Sequence, residues 1–389
     1  VGAFTMSSSR SSRIQRRNSV ATFVPDEVAP ACPVSAVGRV LVAVRVRPLS
    51  QREIEEGAEE CCSVNSDSVM IRKKGQKGAV LKSQKLKENE YQFDEVFGSD
   101  ASQDDVYQRT AAKHVLAVLE GINVTVIAYG STGAGKTHTM MGSTRRDSST
   151  VHGEAICGII PQSLVDVFQG VGELQKRCDD AAEPCPRLST ATATTARKGG
   201  VWSVHISYCE VYNENVYDLL QPTSPPTSLR VLEDATQGLV AVHGLSEVQA
   251  RNPDEVLTFL ASGNENRTTE STAMNAVSSR SHAILWVTVR EEWKDASSNQ
   301  VRRREAKLSL IDLAGSERAS ATQNKGARLN EGAKINRSLL ALANCINALT
   351  TQDKLSSQAA DTAAATEGVG SKGKGGGGAG AFAAGGGGG

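Results

Sequence analysis

The chain has 389 residues, 39% of them hydrophobic and 22% charged, with 43 acidic and 43 basic residues and a net charge of +0. This is ordinary for a soluble globular protein, gives no compositional support to a nucleic-acid or membrane partner, and leaves room for one large domain or several average ones. No apolar run approaches the ~20 residues of a membrane span, and the 8 scattered cysteines lack any C-x-x-C pair, so free thiols in a reducing, cytosolic setting are expected.

Residues 1–38 carry Ser and Arg without periodicity (SSSRSSRIQRRNSV) and are expected to be disordered. Arg16-Arg17-Asn18-Ser19 suits a basophilic kinase, and the acid-poor start resembles a transit peptide; a solvated basic tail is the simpler reading. The chain opens on Val1 rather than Met, so the true N-terminus is expected upstream.

Val40 to Val46 reads as a strand ending in Arg45-Val46-Arg47-Pro48. Weak strand signals follow at Val69-Met70-Ile71 and Val80-Leu81, and Tyr91 to Phe97 reads as a short aromatic strand. Ser102 to Glu120 is expected as one helix, opened by a Ser102-x-x-Asp105 capping box and stopped at Gly121.

Val124 to Tyr129 is a β-branched, apolar run that predicts a buried strand of the parallel type. It breaks into Gly130-Ser131-Thr132-Gly133-Ala134-Gly135-Lys136-Thr137, a full G-x-x-x-x-G-K-[ST] phosphate loop. Glycines let successive backbone N–H groups turn inward towards phosphate oxygens. Lys136 would place a cation on the β and γ phosphates, the Thr137 hydroxyl could ligate Mg²⁺, and the helix beginning here adds its positive end. The segment therefore predicts nucleoside triphosphate binding.

A helix is expected over Pro161 to Leu174, a low-complexity insertion over residues 179–200, and an alternating strand over Val201 to Val211. Tyr212 to Leu220 should turn, and Asn252-Pro253 should start a helix running to about Asn266. Ala283 to Val289 and Leu308 to Leu313 read as strands, and about Arg328 to Leu349 as a long helix. From about Thr350 the Gly/Ala-rich sequence has too little apolar surface to fold.

A phosphate loop needs a second element that brings an acid near Mg²⁺ and a donor near the γ-phosphate. Asp312-x-x-Gly315 at a strand end has that form: Asp312 could hold a Mg²⁺-bound water and the Gly315 N–H could reach the γ-phosphate. Asn275 to His282 packs three hydroxyls, an Arg and a His into eight residues before a strand, where a phosphate-sensing loop would be anchored.

Taken in order, GSTGAGKT, NAVSSRSH and DLAGSE strongly resemble the kinesin motor domain. RVRP before them, YCEVYNENVYDLL between them and EGAKINRSLLALANCINAL after them match it too, over about residues 39–349. TGAGKT, the run Gly263 to Glu270 and SERASAT lean towards the kinesin-8 subfamily. The resemblance implies an α/β fold: a P-loop NTPase with a mostly parallel central β-sheet and helices on both faces. It implies ATP and Mg²⁺ as ligands, a microtubule-stimulated ATPase activity and microtubule-based movement in the cytoplasm. Arg45 and Pro48 would flank the adenine, Arg45 by stacking, with Gly130 to Thr137 and His138 completing the nucleotide site. Thr137, Ser279 and Asp312 would serve Mg²⁺, and Ser278 would position the attacking water. Arg280 and Glu317 resemble the salt bridge that closes between the two switch loops and, with Gly315, gates hydrolysis. Lys325 to Arg337, including Arg328 and Lys334, would face tubulin; homodimerisation would use sequence absent from this chain.

Three positions depart from the family pattern: Ser131 stands where Gln is usual, Lys334 where Asn is common, and Ala343 where Gly is common. After Ala348-Leu349 the family continues into a Y-R-D-S-K-L-T-R-L-L helix and the neck linker, so a C-terminally incomplete motor domain is expected, with residues 1–38 and 350–389 as flanking tails. Two other readings stand beside the motor: a non-motile, nucleotide-dependent microtubule binder, and a small-GTPase-like switch. The last lacks its guanine-reading N-K-x-D, since Asn324-Lys325-Gly326-Ala327 has no Asp.

Overall fold

The computed structural model describes residues 40–72, 88–143, 156–180, 200–223, 226–234, 239–269, 280–295, 299–317 and 332–348. The expected tails, most of the insertion at 179–200 and the strand at Val80-Leu81 lie outside them. By contacts the chain divides into a main unit that includes Leu41–Leu340 and a second that holds Ser35–Val40 and Ala341–Gly389. Of the second, Val40 and the helical residues 341–348 are described.

The chain opens with β1 (Ala43–Arg45) and α1 (Gln51–Glu55), then β2 (Cys62–Val64), β3 (Ser68–Arg72), β4 (Glu88–Gln92) and β5 (Glu95–Phe97). Next come α2 (Gln103–Arg109), α3 (Ala112–Val115), a 3-10 helix (Leu116–Glu120), β6 (Val124–Ala128), α4 (Lys136–Met141), β7 (Gly142–Ser143) and β8 (Ile156–Cys157). The second half holds α5 (Ile159–Asp180), β9 (Val201–Tyr212), β10 (Asn215–Asp218), β11 (Arg230–Asp234) and β12 (Leu239–His243). It continues with β13 (Val248–Ala250), α6 (Pro253–Thr269), β14 (His282–Lys294) and β15 (Val301–Asp312). Residues 332–348 form a further helix, α7.

The central sheet runs β10-β9-β14-β15-β6, with β13 also paired to β9. Strand, phosphate loop and helix follow one another as expected, and the α/β class stands. The expected strand direction is corrected: the sheet is mixed. Of its pairings only β15 with β6 is parallel, setting Leu308 beside Val124 and Asp312 beside Ala128. The others are antiparallel. For β14 and β15 the cause is connection length. β14 and β15 are joined by six residues, 295–300, too few for the crossover that a parallel pair needs.

Side chains alternate across β14, so Ala283, Leu285, Val287 and Val289 share one face. With Val204, Ile206 and Tyr208 of β9 and Leu308 and Leu310 of β15 they form the core, against Leu164 and Val167 of α5 and Val256 and Leu260 of α6. Burying each Val, Leu or Ile side chain among them contributes roughly 1.5–3 kcal/mol. The other face of β14 begins at His282, which meets Ser338 of α7. Helices therefore lie on both faces.

The Ser102 capping box forms as read: its hydroxyl accepts from the Asp105 N–H at 3.0 Å and its own N–H donates to Asp105 Oδ2 at 3.1 Å. The single helix expected beyond it is divided into α2, α3 and the 3-10 helix. At the break the Thr110 hydroxyl donates to the Val106 carbonyl at 2.5 Å, a back-bond that competes with the helical ladder. Gly121, at φ 92°, stops the run in the left-handed region that a side chain would resist. No helix among the described residues is long and apolar enough to cross a membrane.

Candidate functional site

The parallel pair β6–β15 fixes the site, because two adjacent strands end side by side and each releases a loop at the same edge. The first loop is Gly130 to Gly135. Gly133 and Gly135 take φ of 78° and 92°, so the loop curls as the motif requires. The second is Leu313 to Glu317. It is tied to the first by backbone bonds, from the Leu313 N–H to the Ala128 carbonyl at 3.3 Å and from the Ser316 N–H to the Gly130 carbonyl at 3.0 Å.

Side chains reinforce that junction. The Thr137 hydroxyl donates to Asp312 Oδ2 at 2.6 Å. Asp312 Oδ1 is buried without a hydrogen-bond partner among the described residues. Burial pushes the Asp312 carboxyl up, while Thr137, Arg267 and Lys136 work the other way. A hydroxyl and a carboxylate with one uncommitted oxygen suit Mg²⁺, which takes one or two protein ligands and fills the rest with water and phosphate oxygens. Lys136 Nζ donates to the carbonyls of Gly130 and Ser131, both at 3.0 Å. Burial lowers its pKa, against the fields of Asp312 and Glu317.

Glu317 reaches back across the loop. Its Oε2 accepts from the Thr132 N–H at 2.9 Å and its Oε1 from the Thr132 hydroxyl at 2.6 Å. Burial alone would raise this carboxyl, but the Thr132 bonds outweigh it and the pKa is lowered. Gly315 sits beneath the pair, where a Cβ would collide with the Glu317 carboxylate and the Thr132 hydroxyl. The expected Arg280–Glu317 salt bridge is not among the ion pairs between described residues. Arg280 lies in the turn before β14, and Glu317 is committed to Thr132. Ser278 and Ser279 lie outside the described residues, as do Lys325 and Arg328.

Arg45, on β1, donates to Gln103 Oε1 at 2.7 Å, to the Thr139 hydroxyl at 3.1 Å and to the Ala101 carbonyl at 3.2 Å. Gln103 Nε2 in turn donates to the His138 carbonyl at 2.6 Å and lies 3.1 Å from His138 Nδ1. The guanidinium is thus held rigidly beside the first turn of α4. Pro48 and His138 are solvent-exposed.

Two further groups belong to the site: His282, which the sequence named at the end of its motif without giving it a role, and Arg267, to which it gave none. His282 Nδ1 accepts from the Ala314 N–H at 3.1 Å, so the ring proton must sit on Nε2, which lies 3.1 Å from the Ser338 hydroxyl. Ser338 then donates to the Ile335 carbonyl at 2.7 Å. Burial, with Arg267 and Lys136, pushes the His282 pKa down to about 4, so the ring is neutral. The other group is Arg267, buried at 7% exposure in an ion pair with Glu210 at 3.0 Å. It also donates to the Ser281 hydroxyl and carbonyl, at 2.8 and 3.0 Å from Nη2, and so pins the residue before His282. A sequence signal existed: Arg267 extends the stripe Val256, Leu260, Gly263 at helical spacing, and a charge on an apolar stripe implies a buried partner. On α7, Lys334 is half-buried and exposed Arg337 lies 3.7 Å from Glu214.

Comparison with known proteins places this site in context. Residues 45–360 match the family described as the kinesin motor domain. The chain is 41% identical over 321 residues to Kinesin-like protein KIN-8A of Arabidopsis thaliana, covering 82% of this chain and 39% of that protein. It is 40% identical over 314 residues to Kinesin-like protein KIF19 of Homo sapiens, covering 80% of this chain and 28% of that protein. The chain thus spans well under half the length of these relatives. Among solved structures, KIF14 with ADP in complex with a microtubule superposes with a TM-score of 0.63 at 30% identity, over 82% of this chain and 80% of that one. A KIF14 dimer with AMP-PNP in complex with a microtubule gives 0.62 at 31% identity, over 80% and 78%.

Proposed function

The chain belongs to the kinesin motor family, its similar relatives include KIN-8 proteins, and on that premise we propose that it is an ATP-hydrolysing microtubule motor. The observation that carries this reading is the double junction at one sheet edge, Thr137 to Asp312 and Thr132 to Glu317. It joins the phosphate loop to a second loop on which the γ-phosphate can act. Mg²⁺, when bound, supplies charge neutralisation of the phosphates; Thr137 and Asp312 would hold it, with Ser279 as a further ligand.

Lys136 neutralises phosphate charge, and the Gly315 N–H would donate to a γ-oxygen. For Glu317 to meet Arg280 it must first leave Thr132, so closing the gate and releasing the phosphate loop are one exchange. Ser278 positions the attacking water, while Arg45, Pro48 and His138 form the wall for the base. Loss of the γ-phosphate removes the contact at Gly315, and the change passes through His282 and Ser338 into α7. The stretch Lys325 to Arg337 is the surface offered to the acidic face of tubulin. We take residues 39–349 as the motor domain, acting on cytoplasmic microtubules with movement along them and regulation at their plus ends as its output.

The test is ATP turnover by the purified chain with and without polymerised tubulin. Turnover that rises on adding microtubules supports the assignment; nucleotide binding with no hydrolysis under either condition overturns it. A gliding assay then separates a motor from a static binder.

A further inference from the structure

Cys61 and Cys62 are adjacent in sequence and lie at the start of β2, far from the phosphate loop along the chain. Successive side chains of a regular strand point to opposite faces. Here they do not diverge: β2 begins only at Cys62, and the two sulfurs stand 3.8 Å apart. Both backbones are fixed by the neighbouring strand. Cys62 pairs with Ile71, and the Arg72 N–H donates to the Cys61 carbonyl at 2.8 Å. Cys61 is exposed and Cys62 half-buried, and both are free thiols. The pair is therefore a preformed, solvent-reachable dithiol on the three-stranded sheet β2–β3–β4.

We propose that Cys61 and Cys62 form a vicinal dithiol site that chelates a monosubstituted trivalent arsenical through both sulfurs. The chemistry selects this ligand class. A structural zinc site needs four ligands, and no group of three or more His, Cys, Asp or Glu is assembled among the described residues. An organic As(III) centre needs only two sulfurs. The step is a condensation. With phenylarsine oxide, two As–S bonds form, the As–O bond breaks, and the oxygen leaves as water with the two thiol protons. Arsenic stays trivalent, so no oxidant or reductant is required. Burial and the neighbouring thiol hold Cys62 protonated, and Glu59 and Glu60 precede the pair. Both features disfavour thiolate formation, but neither opposes a neutral reagent that gains from two linked bonds.

The reduced full chain, titrated with phenylarsine oxide and followed by intact mass, should take up one reagent less one water at this pair. The adduct should survive excess 2-mercaptoethanol and be removed by 2,3-dimercaptopropanol. Cys61→Ser and Cys62→Ser should each weaken capture by roughly 10²-fold, the gain expected from a second linked contact, while Cys157→Ser should not. On the unmutated chain the arsenical should protect Cys61 and Cys62 from iodoacetamide. Wild-type affinity in either Cys61 or Cys62 variant, or an adduct that leaves these two cysteines open to alkylation, overturns the proposal.

Discussion

Glu317 grips Thr132 from 185 residues away, taking both its N–H and its hydroxyl at 2.9 and 2.6 Å. The two loops of the site are thus latched to each other by one carboxylate, which must let go before it can serve elsewhere. Glu317→Ala should leave ATP affinity within a few-fold of wild type but cut turnover at least about tenfold, or about 1.4 kcal/mol of barrier. Fluorescent-nucleotide titration beside a phosphate-release assay checks both halves; unchanged turnover places the gate at another residue.

Gly315→Ala tests the same latch from below. The added methyl would collide with Glu317 and Thr132, so the pair must part without loss of either side chain. Thermal melting should stay near wild type, while hydrolysis should fall, but less far than in Glu317→Ala, because Glu317 is freed rather than removed. A fully active Gly315→Ala chain would mean that the close approach has no role.

Lys136→Ala removes the only cation of the phosphate loop itself. Nucleotide binding should become undetectable at concentrations that saturate the wild type. Equilibrium dialysis with labelled ATP measures this, and retained affinity contradicts the phosphate-loop assignment.

His282 makes stability depend on pH. Its folded pKa of about 4 lies below the ordinary 6.5, so between those values the unfolded chain binds the proton and the folded chain does not. Stability is then full above pH 6.5 and falls as pH drops towards 4, by about 3 kcal/mol for this one group. His205, also held near 4 chiefly by burial, adds in the same direction. Urea unfolding of wild type and His282→Gln at pH 7 and pH 5 should show a smaller pH loss in the variant.

Arg267→Met strands Glu210 as a buried, uncompensated charge. Breaking such a pair costs about 3–5 kcal/mol, and it also frees Ser281. The melting temperature should drop sharply, and Glu210→Gln introduced alongside should restore part of it.

How much of this was legible in the chain depended on how local the cause was. The phosphate loop, the Ser102 capping box and the Gly121 stop are written in consecutive residues, and each has the predicted geometry. The parallel type read for Val124 to Tyr129 stands, since β6 pairs in parallel with β15, but the direction of the other strands was not legible, because an apolar run such as Leu308 to Leu313 looks alike beside a parallel or an antiparallel neighbour. Between β14 and β15 the direction was decided instead by the short 295–300 link. The Thr132 partner of Glu317 was hidden by sequence distance, and so was the role of His282, a residue of the Asn275 to His282 motif whose partners Ala314 and Ser338 lie far along the chain. Arg267 could have been found from its apolar stripe.

The bonds that run from Ala314 through His282 and Ser338 to Ile335 all point one way. At one end is a backbone N–H that can only give, and at the other a backbone carbonyl that can only receive. The imidazole and hydroxyl between them have no freedom to reverse. Such a strut transmits displacement rather than charge: a shift of Ala314 by more than the few tenths of an ångström that a hydrogen bond tolerates must either carry α7 with it or snap a bond. A chain with this strut intact would couple movement at the strand end to the helix, and would lose that coupling if any one of the three bonds broke.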